Sequence, residues 1–204
     1  MEYSLIESPD TIEWDTLVNS SPQGNIFSDT RYLRALNAPY TCYLVKNNCE
    51  TLAGVVIVED GDSMHVAPFP YTPYQGILFS HSVITQSSRK RVSSEFHLTE
   101  FIIQRLLDRY GNFCMMFSPS FADLRPFQWH NYGEVNQEQF RLNIRYTGIL
   151  KLHEFCDFDD YLLSISISRR REYKKSSNLL TLEYSNDISI LQNLYQKTFA
   201  RQNL

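Results

Sequence analysis

The chain of 204 residues is long enough to bury a core, and it can hold one large domain or one domain with part of a second. Hydrophobic residues make up 43% of it and aromatic residues 14%, which is typical of a globular protein and excludes a disordered one. The formal net charge of -4 excludes a generally basic surface that coats nucleic acid, so any bound anion must be held locally.

The cysteines indicate the compartment. Cys42, Cys49, Cys114 and Cys156 form neither a CxxC pair nor the dense spacing of a secreted disulfide scaffold, and the chain opens without the apolar run of a signal peptide. These features predict a reducing, cytoplasmic location. No stretch approaches the ~18 apolar residues that a bilayer span requires, so no membrane span is predicted.

Hydrophobic periodicity and turn residues predict alternating strands and helices in the first 60 residues. In chain order these are a strand at 3–7, a helix that starts at Ser8-Pro9-Asp10 and carries Trp14, a helix capped by Ser28 that ends before Pro39, and strands at 41–46 and 51–59 joined by Asn47-Asn48. The last two strands are expected to form a hairpin.

The middle of the chain predicts further strands around one long helix. The expected features are a turn at Asp60-Gly61-Asp62, extended segments at 64–66 and 76–80, an exposed loop at 86–94, a helix capped by Ser93 or Ser94 and stopped by Gly111, and buried strands at 113–117 and 142–152.

The most informative segment runs from Ser164 to Lys175 and places five cations within seven positions. A helix from about Phe158, capped by Asp157 or Asp159, would gather apolar side chains on one face. The opposite face would then carry Arg170, Arg171, Lys174 and Lys175. Like charges four residues apart on a helix repel each other, so this face is expected to seek an anion.

Arg169 differs from the other cations of this segment. It falls in line with the apolar stripe, where only Glu172 is near enough to pair with it, and we expect it to point into a cleft. Two interpretations of the cations stay open, a solvated helix face that complements its own dipole and a site for a phosphate-bearing ligand. DNA binding is not predicted, because the chain shows neither a helix-turn-helix nor a zinc pattern.

Aromatic and polar residues converge in two further segments, 70–76 and 123–129. Tyr74, Gln75 and Trp129 either form rigid turns with aromatic packing or line a groove, because tyrosine and tryptophan join an apolar body to a polar tip. Both interpretations fit one architecture.

Several common chemistries leave no signature here. The chain has no GxSxG, Walker or GxGxxG motif, and its histidines lack the spacing of metal ligands. The segment from Arg145 to Leu150 begins like the R-x-x-G-x-G/A loop of acetyltransferases, but Leu150 departs from that pattern. We interpret it as the interior of a strand, with Gly148 at a bulge or a close backbone approach.

The end of the chain predicts a strand at 180–184 and an amphipathic helix at 188–199. The sequence then stops without a helix cap or a polar tail, so an incomplete or truncated form is expected, with a domain boundary near Lys151.

Five segments taken in order carry a family resemblance: GNIFSDTRYLRAL, PYTPYQGIL, DLRPFQWHNYG, RYTGILKL and DDYLLSISISRRREYKKSSN. Together they resemble the FemAB-like branch of the GNAT acyltransferase superfamily. The resemblance implies an α/β fold with a GNAT-like mixed sheet flanked by helices. Residues 1–150 would form the first GNAT-like module, and residues 151–204 would begin a second that contains the basic helix.

The same resemblance implies transfer of an acetyl or aminoacyl group to an amine of a cell-envelope sugar or peptide precursor, from acetyl-CoA or aminoacyl-tRNA. The basic helix would border the acceptor cleft, where Arg169 or Arg170 would meet a phosphate with Lys174 nearby, and Arg34 is a further candidate. No catalytic residue is assigned. The alternatives are a non-catalytic module that binds a phosphate-bearing ligand and an RNA-binding protein that uses residues 169–175.

Overall fold

The computed structural model describes residues 2–8, 11–58 and 72–202. Its contacts divide the chain into two compact units, Met1–Ile144 and Arg145–Leu204. The first unit contains β1 (Ser4–Glu7), α1 (Thr11–Ser20), a 3-10 turn (Ile26–Ser28), α2 (Thr30–Ala35), β2 (Tyr40–Asn47), β3 (Glu50–Val58), β4 (Ile77–Phe79), α3 (His81–Ile84), α4 (Ser88–Tyr110) and α5 (Arg125–Trp129). The second contains a 3-10 turn (Leu152–Glu154), α6 (Phe158–Ser164), α7 (Ile167–Ser177) and α8 (Ile188–Gln202).

The four strands form one sheet in the order β1-β2-β3-β4, and each neighbouring pair is antiparallel. The predicted hairpin is confirmed: β2 and β3 pair with Tyr43 opposite Val55, and Asn48 in the connecting turn has a φ of 53°. Asparagine tolerates this left-handed conformation better than most residues, which explains its place in the turn. The fold therefore combines α-helices with a β-sheet, as predicted, but the sheet of the described residues is entirely antiparallel and not the mixed sheet that the resemblance implies.

Helices cover both faces of this sheet. Tyr43, Val55 and Ile77 belong to a buried cluster on one face, together with apolar residues of α4. Leu44 and Val56 belong to a second cluster on the other face, with the apolar residues of α1 and α2. Because successive side chains of a strand point to opposite faces, burial on both sides requires continuous apolar runs, and β2 and β3 have them.

The layer formed by α1 packs very closely on the sheet. The Trp14 ring is fully buried and its Nε1 donates a hydrogen bond to the Ser28 carbonyl oxygen at 2.7 Å. A Cβ atom on Gly54 would lie 2.8 Å from Trp14 Cζ3 and 2.6 Å from Leu17 Cδ2. Glycine at position 54 thus allows the helix to approach β3.

Asp29, and not the predicted Ser28, caps α2. The Asp29 carboxylate accepts a hydrogen bond from the Arg31 backbone N–H at 2.8 Å, whereas Ser28 belongs to the preceding 3-10 turn and is completely buried. The prediction was wrong by one residue because serine and aspartate are both good cap residues and stand side by side here.

The predicted loop at 86–94 is also wrong, and so are the caps proposed at Ser93 or Ser94. The helix α4 begins after Ser87 and ends at Gly111, which has the left-handed φ of 72° predicted for a stop. The first turns of α4 are polar and exposed, so they lack the apolar periodicity by which helices are recognised.

Three predicted strands do not form. Residues 113–117 contain only isolated bridge positions, at Phe113 and at Met116, which pairs with Gln75, and residues 142–152 and 180–184 have no strand pairing among the described residues. A Cβ atom on Gly148 would meet no other atom within 4 Å, so this glycine marks neither a bulge nor a close approach. An apolar run becomes a strand only where a partner backbone lies beside it.

Several expected features lie outside the described residues. These are Pro9 and Asp10 of the predicted helix start, the turn at residues 60–62 and the extended segment at 64–66.

The basic segment forms two helices rather than the predicted single one. Asp157 caps α6, as expected, by accepting a hydrogen bond from the Asp160 N–H at 2.8 Å. The helix ends at Ile165, whose ψ of 162° is extended, and Ser166 caps α7 by accepting from the Arg169 N–H. A serine within a run of alternating serines offers a cap that competes with helix continuation.

Candidate functional site

Four cations occupy one side of α7 and are here named the cationic face: Arg170, Arg171, Lys174 and Lys175. A rotation of ~100° per residue places them within an arc of ~140°. Within the described residues, none of the four forms an ion pair with a carboxylate. The face therefore carries four formal positive charges without internal compensation.

Repulsion within the cationic face is built into its spacing. Arg170 with Lys174, and Arg171 with Lys175, are like-charge pairs one helical turn apart, and each pair costs about 0.2–0.5 kcal/mol. The Arg170 Nε is shielded from solvent and has no hydrogen-bond acceptor in the described part of the chain. A bound anion would reduce the repulsion.

Arg169 lies on the other side of α7. Its Nη1 donates to the Glu172 carboxylate at 3.0 Å, and its side chain is 75% exposed. The predicted local partner of Arg169 is thus present, but the side chain lies open to solvent and not in a cleft. On the same side, the Tyr173 ring packs edge-on against Phe158 of α6, with ring centroids 5.3 Å apart.

The second unit also contains a cavity of about 370 Å³. Its lining is mostly apolar and consists of Leu150, Leu152, Phe155, Asp157, Phe158 and Tyr161. No cation of α7 belongs to this lining. In the cationic face, Arg171, Lys174 and Lys175 are exposed and Arg170 is half-buried.

The other predicted site residues lie in the first unit and have separate surroundings. Arg34 is exposed in the last turn of α2. Tyr74 is half-buried, and its ring centroid lies 6.1 Å from that of Phe27. Trp129 is 56% exposed at the end of α5 and packs against Phe96 at 5.6 Å. Their assignment as ligand contacts stays a prediction.

An ion pair positions a cation beside Trp129. The Asp123 carboxylate accepts hydrogen bonds from Arg125 Nε at 2.8 Å and Nη2 at 2.6 Å, and the hydrogen bond with Arg125 lowers the pKa of Asp123. The Arg125 guanidinium then lies over the Phe96 and Trp129 rings, 5.4 Å and 5.7 Å from their centroids. This contact orients the exposed indole.

A larger cavity of about 610 Å³ lies within the first unit, at the C-terminal end of α4, and is here named the amide-rimmed cavity. Its floor includes the rings of Phe113, Phe117, Phe127 and Phe140. Its rim carries the carboxamides of Gln104, Asn112, Asn131, Gln137, Gln139 and Asn143.

The amide-rimmed cavity is not predicted from the sequence. Two segments of the sequence indicate parts of its lining. The aromatic segment at 123–129 contains Phe127 and is followed by His130, and the apolar run at 113–117 contains Phe113 and Phe117. Neither shows that the two segments meet, because only the observed fold brings them together around the end of α4.

Two kinds of feature are not found in the described ranges. No group of three or more histidine, cysteine, aspartate or glutamate side chains is placed to hold a metal ion. No helix there has the length and apolar character needed to cross a membrane.

Comparisons of the chain with protein-family models, with curated proteins and with solved structures found no match.

Proposed function

We propose that this chain is an acyltransferase of the FemAB-like branch of the GNAT superfamily, or the substrate-holding part of one. It would transfer an acetyl or aminoacyl group to an amine of a cell-envelope sugar or peptide precursor. The proposal is supported by the ordered motifs of the sequence and by the α/β architecture of the first unit. The observation that carries it is the cationic face of α7, on the helix that the resemblance assigns to the acceptor cleft.

The charge of this face suits the expected reactants. Acetyl-CoA, aminoacyl-tRNA and nucleotide-linked sugars all carry phosphates. Arginine recognises phosphate through two parallel hydrogen bonds, and lysine adds a point charge, so Arg170 and Lys174 together provide both kinds of contact.

Acyl transfer to an amine makes modest chemical demands on a protein. It must hold donor and acceptor together, stabilise the oxyanion with hydrogen-bond donors and accept a proton from the amine. The cationic face would contribute the first of these by anchoring a phosphate away from the reacting atoms. We assign no base.

The experiment is a thermal-shift titration of the full chain with acetyl-CoA, a UDP-linked amino sugar and charged tRNA. Binding stabilises the folded state by about 2.7 kcal/mol at a ligand concentration one hundred times Kd, and this stabilisation raises the Tm. The double variant Arg170→Ala/Lys174→Ala should lose this shift. A matched control is Arg89→Ala/Lys90→Ala, which removes two exposed cations from α4.

The outcome decides between clear alternatives. A shift with one of these ligands that the α7 variant loses and the α4 variant keeps, followed by product formation, supports the proposal. Absence of a shift with all three ligands at millimolar concentration would contradict it.

A second candidate is a module that binds a phosphate-bearing ligand without turnover. The cationic face favours it directly, because holding a phosphate requires only charge and hydrogen bonds. Binding by the wild type without product formation would identify this case. If the ligand is RNA, affinity must fall steeply with salt concentration, and a flat response removes that possibility.

A further inference from the structure

The amide-rimmed cavity has an aromatic floor held by ring-to-ring packing. The Phe140 ring lies 5.2 Å from Phe113, 5.2 Å from Phe127 and 5.3 Å from His130 between centroids. The Phe117 ring closes the set at 5.2 Å from Phe127. Phe127 is almost completely buried, so the floor is anchored in the core of the first unit.

The six carboxamides of the rim are only partly used within the protein. Gln104 donates to Asp108, Asn131 to the Glu138 carbonyl oxygen and Gln139 to the Asn131 carbonyl oxygen. In the described residues the side chains of Asn112, Gln137 and Asn143 make no hydrogen bond. Each carboxamide has two donor positions and an acceptor oxygen, so the rim presents both kinds of group to a ligand.

The formal charges of the lining cancel. It contains one guanidinium, from Arg141, and one carboxylate, from Glu138. Phosphate sites in proteins usually combine several positively charged hydrogen-bond donors. This lining offers a phosphorylated ligand one cation only, and its charge is offset by one carboxylate. The lining therefore favours an uncharged ligand.

From these observations we propose that the amide-rimmed cavity binds a neutral saccharide. Sugar hydroxyls donate and accept hydrogen bonds, as carboxamides do, and the C–H face of a pyranose ring is apolar enough to rest on aromatic rings. A cavity of about 610 Å³ has room for one or two sugar rings. The inference goes beyond the proposed function, because no lining residue belongs to the cationic face of α7.

The test is ligand-observed saturation-transfer NMR on the full chain. The probes are glucose, N-acetylglucosamine and N,N′-diacetylchitobiose. Adenosine and uridine are tested as alternative ligands, and inorganic phosphate is added as a competitor. We expect transfer to the saccharides at millimolar concentration, strongest for protons on one ring face. No transfer to any saccharide would overturn the proposal, and so would transfer to a nucleoside alone or loss of the saccharide signal when inorganic phosphate is added.

The location is tested with the double variant Asn112→Ala/Asn143→Ala. Both side chains are exposed and make no hydrogen bond in the described part of the chain, so the variant should fold as the wild type does. Saccharide affinity should fall on the order of tenfold, because two hydrogen-bonding groups are lost. Asn19→Ala/Asn193→Ala is the matched control, since both asparagines are exposed and neither lines the cavity.

A second variant, Phe140→Ala, tests the floor. With its Tm measured in parallel, it should retain the fold and lose the transfer to the ring face. Saccharide binding that persists in both variants would overturn the assignment to this cavity. The Arg170→Ala/Lys174→Ala variant should bind saccharide normally, so failure of the proposed function and failure of this inference give different results.

Discussion

Gly54 is a residue at which the first unit has little room for change. A Cβ atom there would lie 2.6 Å from Leu17 and 2.8 Å from Trp14, and also 3.2 Å from the Tyr43 carbonyl oxygen. Gly54→Ala should therefore force α1 away from the sheet and lower the free energy of unfolding by about 1–3 kcal/mol. Urea denaturation measures this loss.

Gly148→Ala is the control for this prediction. Nothing lies within 4 Å of a Cβ atom at that position, so its free energy of unfolding should stay within ~0.5 kcal/mol of wild type. Equal stability of the two variants would mean that α1 repacks without cost.

Cys42 differs from the other cysteines in accessibility. It is buried on β2, and burial raises the pKa of its thiol to about 12, whereas Cys49, Cys114 and Cys156 are exposed. Because the thiolate is the reactive form, a thiol reagent should label three residues of the folded chain quickly and the fourth only after unfolding. Mass spectrometry of labelled peptides checks the assignment, and rapid native labelling of Cys42 would contradict the burial.

Asp29 should contribute to the acid sensitivity of the fold. Its hydrogen bond with Arg31 holds the pKa of the Asp29 carboxyl below the ordinary value of 3.8. A carboxyl with a lowered folded-state pKa stabilises the protein above 3.8, and this stabilisation is lost as the pH falls through the lower folded-state value.

Asp29→Asn keeps a good cap residue but removes the charge. The variant should be less stable than wild type at neutral pH, and the two should converge in strong acid. Urea midpoints measured across this pH range provide the test. A constant difference at every pH would show that the loss does not come from ionisation.

At the scale of elements, the start of α7 depends on one side chain. Ser166 accepts a hydrogen bond from the Arg169 N–H, and loss of such a cap costs about 1 kcal/mol. Ser166→Ala should increase hydrogen exchange in the first turn of α7, and NMR can follow the Arg169 amide. Ser176→Ala is the control, because the Ser176 side chain makes no hydrogen bond among the described residues. Equal exchange in both variants would mean that the cap does not define the helix start.

Which elements the sequence predicts depends on how locally they are determined. The β2–β3 hairpin is predictable because the asparagine turn and both apolar strands are contiguous, and the apolar stripe of α4 is predictable from Leu98, Ile102 and Leu106. The run at 113–117 has the same apolar character, but its pairing depends on a distant backbone. Pattern alone therefore cannot separate it from a strand.

The two candidate sites differ in the same way. The cationic face can be predicted from the sequence because its residues are adjacent in the chain. The amide-rimmed cavity cannot, because its lining comes from separate segments between Gln104 and Asn143 that meet only in the fold. The break at Ile165 was not predicted, because the free energies of a continued helix and of a new helix capped by serine differ by only about 0.5–2 kcal/mol.

At the scale of the whole molecule, the two units differ in how they are stabilised. The first buries apolar clusters on both faces of its sheet. Among the described residues of the second, none is fully buried, and large apolar side chains such as Leu182 and Tyr184 are exposed. Since burial is the main favourable contribution to folding, stability should be concentrated in the first unit.

This difference predicts two classes of amide exchange in the full chain. Amides of β2, β3 and α4 should exchange only through global unfolding of the first unit, whose free energy is typically about 5–15 kcal/mol. Amides of α8 should exchange through local opening at much lower cost, because its side chains bury little surface. Hydrogen exchange followed by mass spectrometry at increasing urea measures both classes: only the first should be strongly urea-dependent. Protection of α8 equal to that of β3 would show that the second unit is stabilised as strongly as the first.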